Sequence, residues 1–163
     1  KQRYPISEKP SPNLPNDQSI NLYPSLCFFE GTQVSIGRGT DFPFQVFGSP
    51  WLKNHPFKFT PKPNFGAKDP FLNGKICNGE DLRNYPEIKE KLDLSFVINA
   101  YKNFDKKSQE FFLKNLWFDT LAGTDELRKQ IISGKSEEEI KNSWKQDLQN
   151  FEKIRTKYRI YQD

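Results

Sequence analysis

One glutamate, one arginine, three glycines and three hydroxyl side chains stand between Phe29 and Phe42 in the run "CFFEGTQVSIGRGTDFPF" (27–44). Glu30 ends an apolar run and has the chemistry of a general acid or base, or of a hydrogen-bonding anchor. Arg38 lies between Gly37 and Gly39, so its guanidinium can fork onto a carboxylate or phosphate from a tight turn. Ser35 and Thr40 offer hydroxyls to a polyhydroxylated ligand, and Phe42 and Phe44 offer faces on which a sugar can stack. The same residues also suit a plain tight turn with Arg38 paired to Asp41 at the surface. Upstream, "PSPNLP" (10–15) places Asn13 in a stiff turn, where its amide either meets a ligand's acetamido group or caps its own turn. His55, next to Pro56, has no partner acid at readable spacing and reads as structural.

Other chemistries lack their signatures. The glycines are followed by Thr40, Asp41 and Phe42, not by the third glycine and helix of a dinucleotide fingerprint, so no cofactor is expected. Two cysteines and one histidine give no metal-ligand spacing, and no metal is expected. Cys27 and Cys77 read as buried free thiols, with a disulfide between them open if the protein is exported. Net charge is +4, with nine Lys/Arg against five Asp/Glu in residues 1–77 and sixteen of each in 78–163. That excess is too thin for a nucleic-acid footprint. A small ligand bearing a carboxylate fits it better, as does an ordinary solvated surface. No apolar run is long enough to span a membrane. The chain starts at Lys1 and contains no Met, which reads as a piece of a longer protein.

The elements that must hold these residues divide near residue 80, since eleven of twelve prolines precede Asp81. The first half reads as short strands and ordered loops: a buried strand over 25–31, a half-buried one over 32–36, and others at 44–48 and 57–60. The second half reads as helical. Leu94, Val97, Ile98, Tyr101 and Phe104 share one face, with Ser95 as N-cap. A helix over 106–121 turns Phe111, Phe112, Leu116 and Leu121 inward and ends at Gly123. Thr124 caps a short helix that ends at Gly134. Ser136 and Glu139 then form a capping box. It opens a helix whose apolar stripe is Ile140, Trp144, Leu148, Phe151, Ile154 and Tyr158, suited to packing on a sheet or to meeting a partner. The fold class is α+β: a short-stranded sheet in the N-terminal half packed by about four C-terminal helices.

"PSPNLP", "YPSLCFFEGTQVSIGRGTDFPFQVFGSPW", "CNGEDL", "FVINAY", "WFDTLAGTDELRKQI" and the closing "RTKYRIY" resemble the C-terminal part of the NamZ-like exo-β-N-acetylmuramidases over nearly the whole chain. The resemblance implies a peptidoglycan-recycling hydrolase that releases N-acetylmuramic acid from non-reducing ends. Its active site would lie in a cleft between an N-terminal Rossmann-like domain and a C-terminal α/β domain. Residues 1–45 would then be the tail of the first domain with linking strands, and 46–163 the second. On that reading the partners are a muropeptide or other muramic-acid saccharide and the protein's own N-terminal domain, and the setting is periplasmic or exported. Asn13, Ser35, Arg38 and Thr40 would bind substrate. Glu30 would be a catalytic carboxylate or a positioner, with the main catalytic acid in the other domain. The alternative is a non-catalytic carbohydrate-binding or interaction module.

Overall fold

A computed structural model describes residues 5–86 and 92–161. The fold is α+β. Helix α1 (Asp17–Leu26) opens on a reciprocal cap: the Asn16 side chain accepts from the Ser19 N–H at 2.9 Å, and Ser19 Oγ accepts from the Asn16 N–H. This satisfies two of the amides that a helix start leaves unpaired. Leu22 and Leu26 turn inward at one-turn spacing and are fully buried. The chain tightens into a 3-10 helix, Cys27–Gly31, that buries Phe28 and Phe29. The strand expected over 25–31 is therefore a helix end. A short apolar run fits a buried helix as well as a buried strand, and the start signal at Asn16 decides between them.

Three strands form one antiparallel sheet in the order β1-β3-β2: β1 (Val46–Ser49), β2 (Phe57–Phe59) and β3 (Cys77–Asp81). Phe47 faces Glu80 and Phe57 faces Gly79. Residues 32–36 are extended but form only two isolated bridges, Ser35 to Gly48 and Thr32 to Phe112. The first extends the sheet by a single pair, with mutual backbone bonds of 2.8 Å.

The C-terminal half is helical but more broken than its pattern implies. Ser95 is the first residue of helix α2 (Ser95–Asn103) and not its cap; Leu94 holds the cap position, and the Asp93 carboxylate accepts from the Ser95 N–H. The helix expected over 106–121 is confined to α3 (Trp117–Ala122). Adjacent Phe111 and Phe112 pack edge-on against each other, and both touch Tyr101. Phe111 meets Tyr101 and Phe104 edge-on, and Phe112 meets Phe118. The backbone there leaves the helical path to bridge Thr32. Gly123 ends α3 in the left-handed conformation, as expected. Helix α4 (Glu126–Ile132) is tied to α3 by a two-pronged Asp119–Arg128 ion pair.

Helix α5 (Glu137–Ser143) carries the expected Ser136–Glu139 box. Helix α6 (Lys145–Arg155) follows after a break at Trp144. Ile140 is fully buried and Trp144 packs on the core, but α6 buries nothing. Leu148, Phe151 and Ile154 remain 59, 60 and 55% exposed. The core lies between α1, the sheet and α2, where Phe29 stacks on Phe47 and Phe47 meets Phe96 edge-on.

Candidate functional site

The segment 27–44 is held from both ends. Its 3-10 helix packs so closely on α3 that a Cβ at Gly31 would lie 2.4 Å from the backbone of Phe118. Gly31 therefore serves an approach within the chain. Gly37 and Gly39 have φ of 77° and 82°, the left-handed region that disfavours other residues. They shape the turn that carries Arg38.

On this turn Arg38 Nη2 donates to Glu30 Oε1 at 2.8 Å, so its partner is Glu30 and not Asp41. The guanidinium also lies over Phe44, 5.4 Å from the ring centre. One of its five N–H donors is used on Glu30, and its side chain is 41% exposed. Its other N–H donors make no hydrogen bond among the described residues. Glu30 and Arg38 edge a concavity of about 240 Å³ whose walls include Phe29, Ile36, Phe71 and Leu113. Glu30 is the only acid among the residues lining it.

Ser35 also lines this concavity, but it is buried and its Oγ accepts from the Gly37 N–H. Thr40 Oγ1 donates to the Gly37 carbonyl and accepts from the Phe42 N–H. Both hydroxyls thus stabilise the glycine turn. Asn13 is on a different wall. It lines, with Thr40, a second concavity of about 490 Å³, and its Nδ2 donates to the Gly66 carbonyl at 2.8 Å. The structure thus groups Glu30, Ser35 and Arg38, and separately Asn13 and Thr40.

Two features escaped the sequence. Asp81 holds Arg83 at 2.5 Å, and Arg83 lies 4.2 Å over the Phe42 ring. That pair lowers the Asp81 carboxyl below its ordinary value, mainly through the hydrogen bond from Arg83. Its only sequence signal is the two-residue spacing. Phe65 stands 93% exposed on the turn that Asn13 fastens.

His55 is nearly buried, its Nδ1 3.3 Å from Glu80, with Nε2 lacking a hydrogen-bond partner among the described residues. Both cysteines are free; burial pushes the Cys77 thiol up to about 12. Among the described residues no cluster of three metal-ligating side chains occurs, and no helix is long and apolar enough to cross a membrane.

Comparison with known proteins places this geometry in context. The family model described as exo-beta-N-acetylmuramidase NamZ, C-terminal, matches residues 21–161. The peptidoglycan beta-N-acetylmuramidase NamZ of Bacillus subtilis (strain 168) is 36% identical over 93% of this chain and 40% of its own length. The crystal structure of a DUF1343 family protein from Bacteroides fragilis NCTC 9343 superposes with a TM-score of 0.91 at 44% identity, covering 100% of this chain and 46% of that one. A second DUF1343 protein from the same organism shares the fold, with a TM-score of 0.68 at 18% identity over 93% of this chain and 44% of its own. The chain thus spans less than half the length of these relatives. With the family model covering 21–161, the chain belongs to the family of NamZ exo-β-N-acetylmuramidase C-terminal domains.

Proposed function

We propose that this chain is the substrate-binding half of a peptidoglycan glycoside hydrolase that releases N-acetylmuramic acid from non-reducing ends. The observation that carries this reading is the partly exposed guanidinium of Arg38, held by Glu30 at the edge of a concavity with its other donors unspent. Muramic acid differs from glucosamine by a lactyl ether that ends in a carboxylate. A guanidinium with free N–H donors is the side chain best matched to that group. Glu30 fixes the fork and balances its charge when no ligand is bound.

Hydrolysis of a glycosidic bond ordinarily needs two carboxyls, about 5–9.5 Å apart depending on stereochemical course. The concavity contributes one. The second belongs to the part of the protein that the longer relatives carry beyond the match. We place that companion body on the apolar face of α6. A groove of about 430 Å³ there is lined by Phe28, Leu127, Trp144, Leu148 and Phe151. Phe28 on this groove and Glu30 on the other concavity come from one 3-10 helix, and we propose that the companion body reaches round it to the Glu30–Arg38 pair. The cleft is then interdomain, and this chain alone is a binding module.

The test uses the protein extended to the length of its relatives. It should turn over a chromogenic muramide, while the 163-residue chain should not. Arg38→Ala should reduce the preference for N-acetylmuramic acid over N-acetylglucosamine as competing ligand by about tenfold or more, since a charge-assisted bond carries about 1.5–3 kcal/mol. An unchanged preference removes Arg38 from recognition. No turnover by the extended protein leaves the non-catalytic module.

A further inference from the structure

Phe65 sits where its sequence neighbours give no reason for a large apolar side chain. It is 93% exposed and makes no ring contact among the described residues. The turn that carries it is nonetheless firmly held. Asn64 and Ala67 pair through their backbones, and Asn64 Oδ1 accepts from the Ala67 N–H at 2.8 Å. Asn64 Nδ2 reaches the Thr40 carbonyl at 3.3 Å, and Asn13 Nδ2 reaches the Gly66 carbonyl at 2.8 Å. A Cβ at Gly66 would lie 3.1 Å from Asn13 Oδ1, so the close approach of the two turns suits glycine. The phenyl ring is thus presented to solvent from a backbone pinned to both the Asn13 turn and the Thr40 turn.

We propose that the concavity between these turns is a pyranose-binding subsite, with Phe65 as its stacking platform and Asp41 and Asn13 as its polar readers. Its volume of about 490 Å³ falls within the range of about 300–1,000 Å³ typical of small-ligand sites. A sugar ring has an apolar C–H face and a rim of hydroxyls. It is recognised by an aromatic face together with planar polar side chains. The lining supplies both. Asp41 makes no hydrogen bond or ion pair among the described residues, so both its carboxylate oxygens are open to hydroxyl donors. Asn13 spends its amide N–H on Gly66 and leaves Oδ1 open. Lys9 adds a cation at the rim. A backbone held in place before binding loses little freedom on binding, and that favours affinity.

The inference rests on the reading of this chain as the sugar-binding half of a glycosidase, and adds a second contact region away from Arg38. The experiment titrates the 163-residue chain with the N-acetylmuramic acid–N-acetylglucosamine disaccharide and follows backbone amides and ring protons by NMR. Saturation transfer should connect the sugar to the Phe65 ring, and amides of 64–67 should shift. Phe65→Ala should weaken binding about fivefold or more with unchanged Tm, and Phe65→Trp should retain it. Equal affinity for Phe65→Ala, or shifts confined to the Glu30–Arg38 concavity, overturns the subsite but leaves the glycosidase reading standing. Absence of any binding to the chain also overturns it. A lower Tm for Phe65→Ala in the extended protein alone would mean that the companion body covers the ring, again against the proposal. Failure of the glycosidase reading shows separately, as an extended protein that does not turn over a muramide.

Discussion

At the scale of single residues, the segment 27–44 separates into side chains left partly exposed and side chains that build the loop. Arg38 is partly exposed and only partly spent. Ser35, Thr40 and Gly31 are consumed by the fold. Gly31→Ala therefore has a structural effect that needs no ligand. Its methyl would overlap the Phe118 backbone, which cannot swing aside as a flexible side chain can. Overpacking of this kind costs about 3 kcal/mol, or roughly 6–12 °C of Tm for a chain of this length. Thermal unfolding followed by circular dichroism checks it; a variant as stable as the parent would show that α3 can move away from the 3-10 helix. The sequence did not separate these two groups of residues. A buried serine in a turn and a serine on a cleft floor look alike until the backbone amide that uses the hydroxyl is located.

At the scale of elements, several signals that act over one turn of chain match the structure, although Ser95 does not cap α2. The Ser136–Glu139 box and the stops at Gly123 and Gly134 are such cases. Signals that depend on what packs against a segment do not. The apolar stripe from Ile140 to Tyr158 implied one helix packed along its length, yet only Ile140 and Trp144 have partners. If α6 is the seat of the companion body, Leu148→Asp with Phe151→Asp should change the stability of the 163-residue chain by no more than about 0.5 kcal/mol, as exposed positions do. In the extended protein the same pair should cost about 2–4 kcal/mol, since both side chains would be buried there. Denaturant unfolding of both lengths measures the difference. Equal effects in the two lengths would place the companion elsewhere.

At the scale of the whole molecule, stability should fall on both sides of neutrality for separable reasons. The carboxyls of Asp81, Asp105, Asp125 and Glu139 all lie below their ordinary values, held by Arg83, Ser108, Lys129 and the Ser136 backbone respectively. A depressed carboxyl contributes stability above its unfolded value and loses it as pH falls through its folded value, so the acid limb should begin below about pH 4. Asp81→Asn should flatten that limb and free Arg83 from its place over Phe42. Cys77 behaves oppositely. Its thiol is raised by burial from 9.0 to about 12, so its contribution is complete below the unfolded value and fades as pH climbs from 9.0 towards 12. Cys77→Ala should flatten the alkaline limb while lowering stability throughout. Chemical denaturation across pH reads both limbs, and an alkaline limb unchanged in the variant would sink the assignment to Cys77.

The sequence by itself determined the α+β class, the division near residue 80, the helix stops and the motif that marks the family. Composition, turn chemistry and short spacings act over a few residues and survive without knowledge of distant contacts. Tertiary structure alone decided that 111–113 leave the helical path to meet Thr32 and that Asn13 and Thr40 share a concavity with Phe65. Each of these depends on a partner far along the chain, such as Gly66 for Asn13 at 53 residues' separation. Such a pairing is set by the packing of the whole core, and no local pattern encodes it.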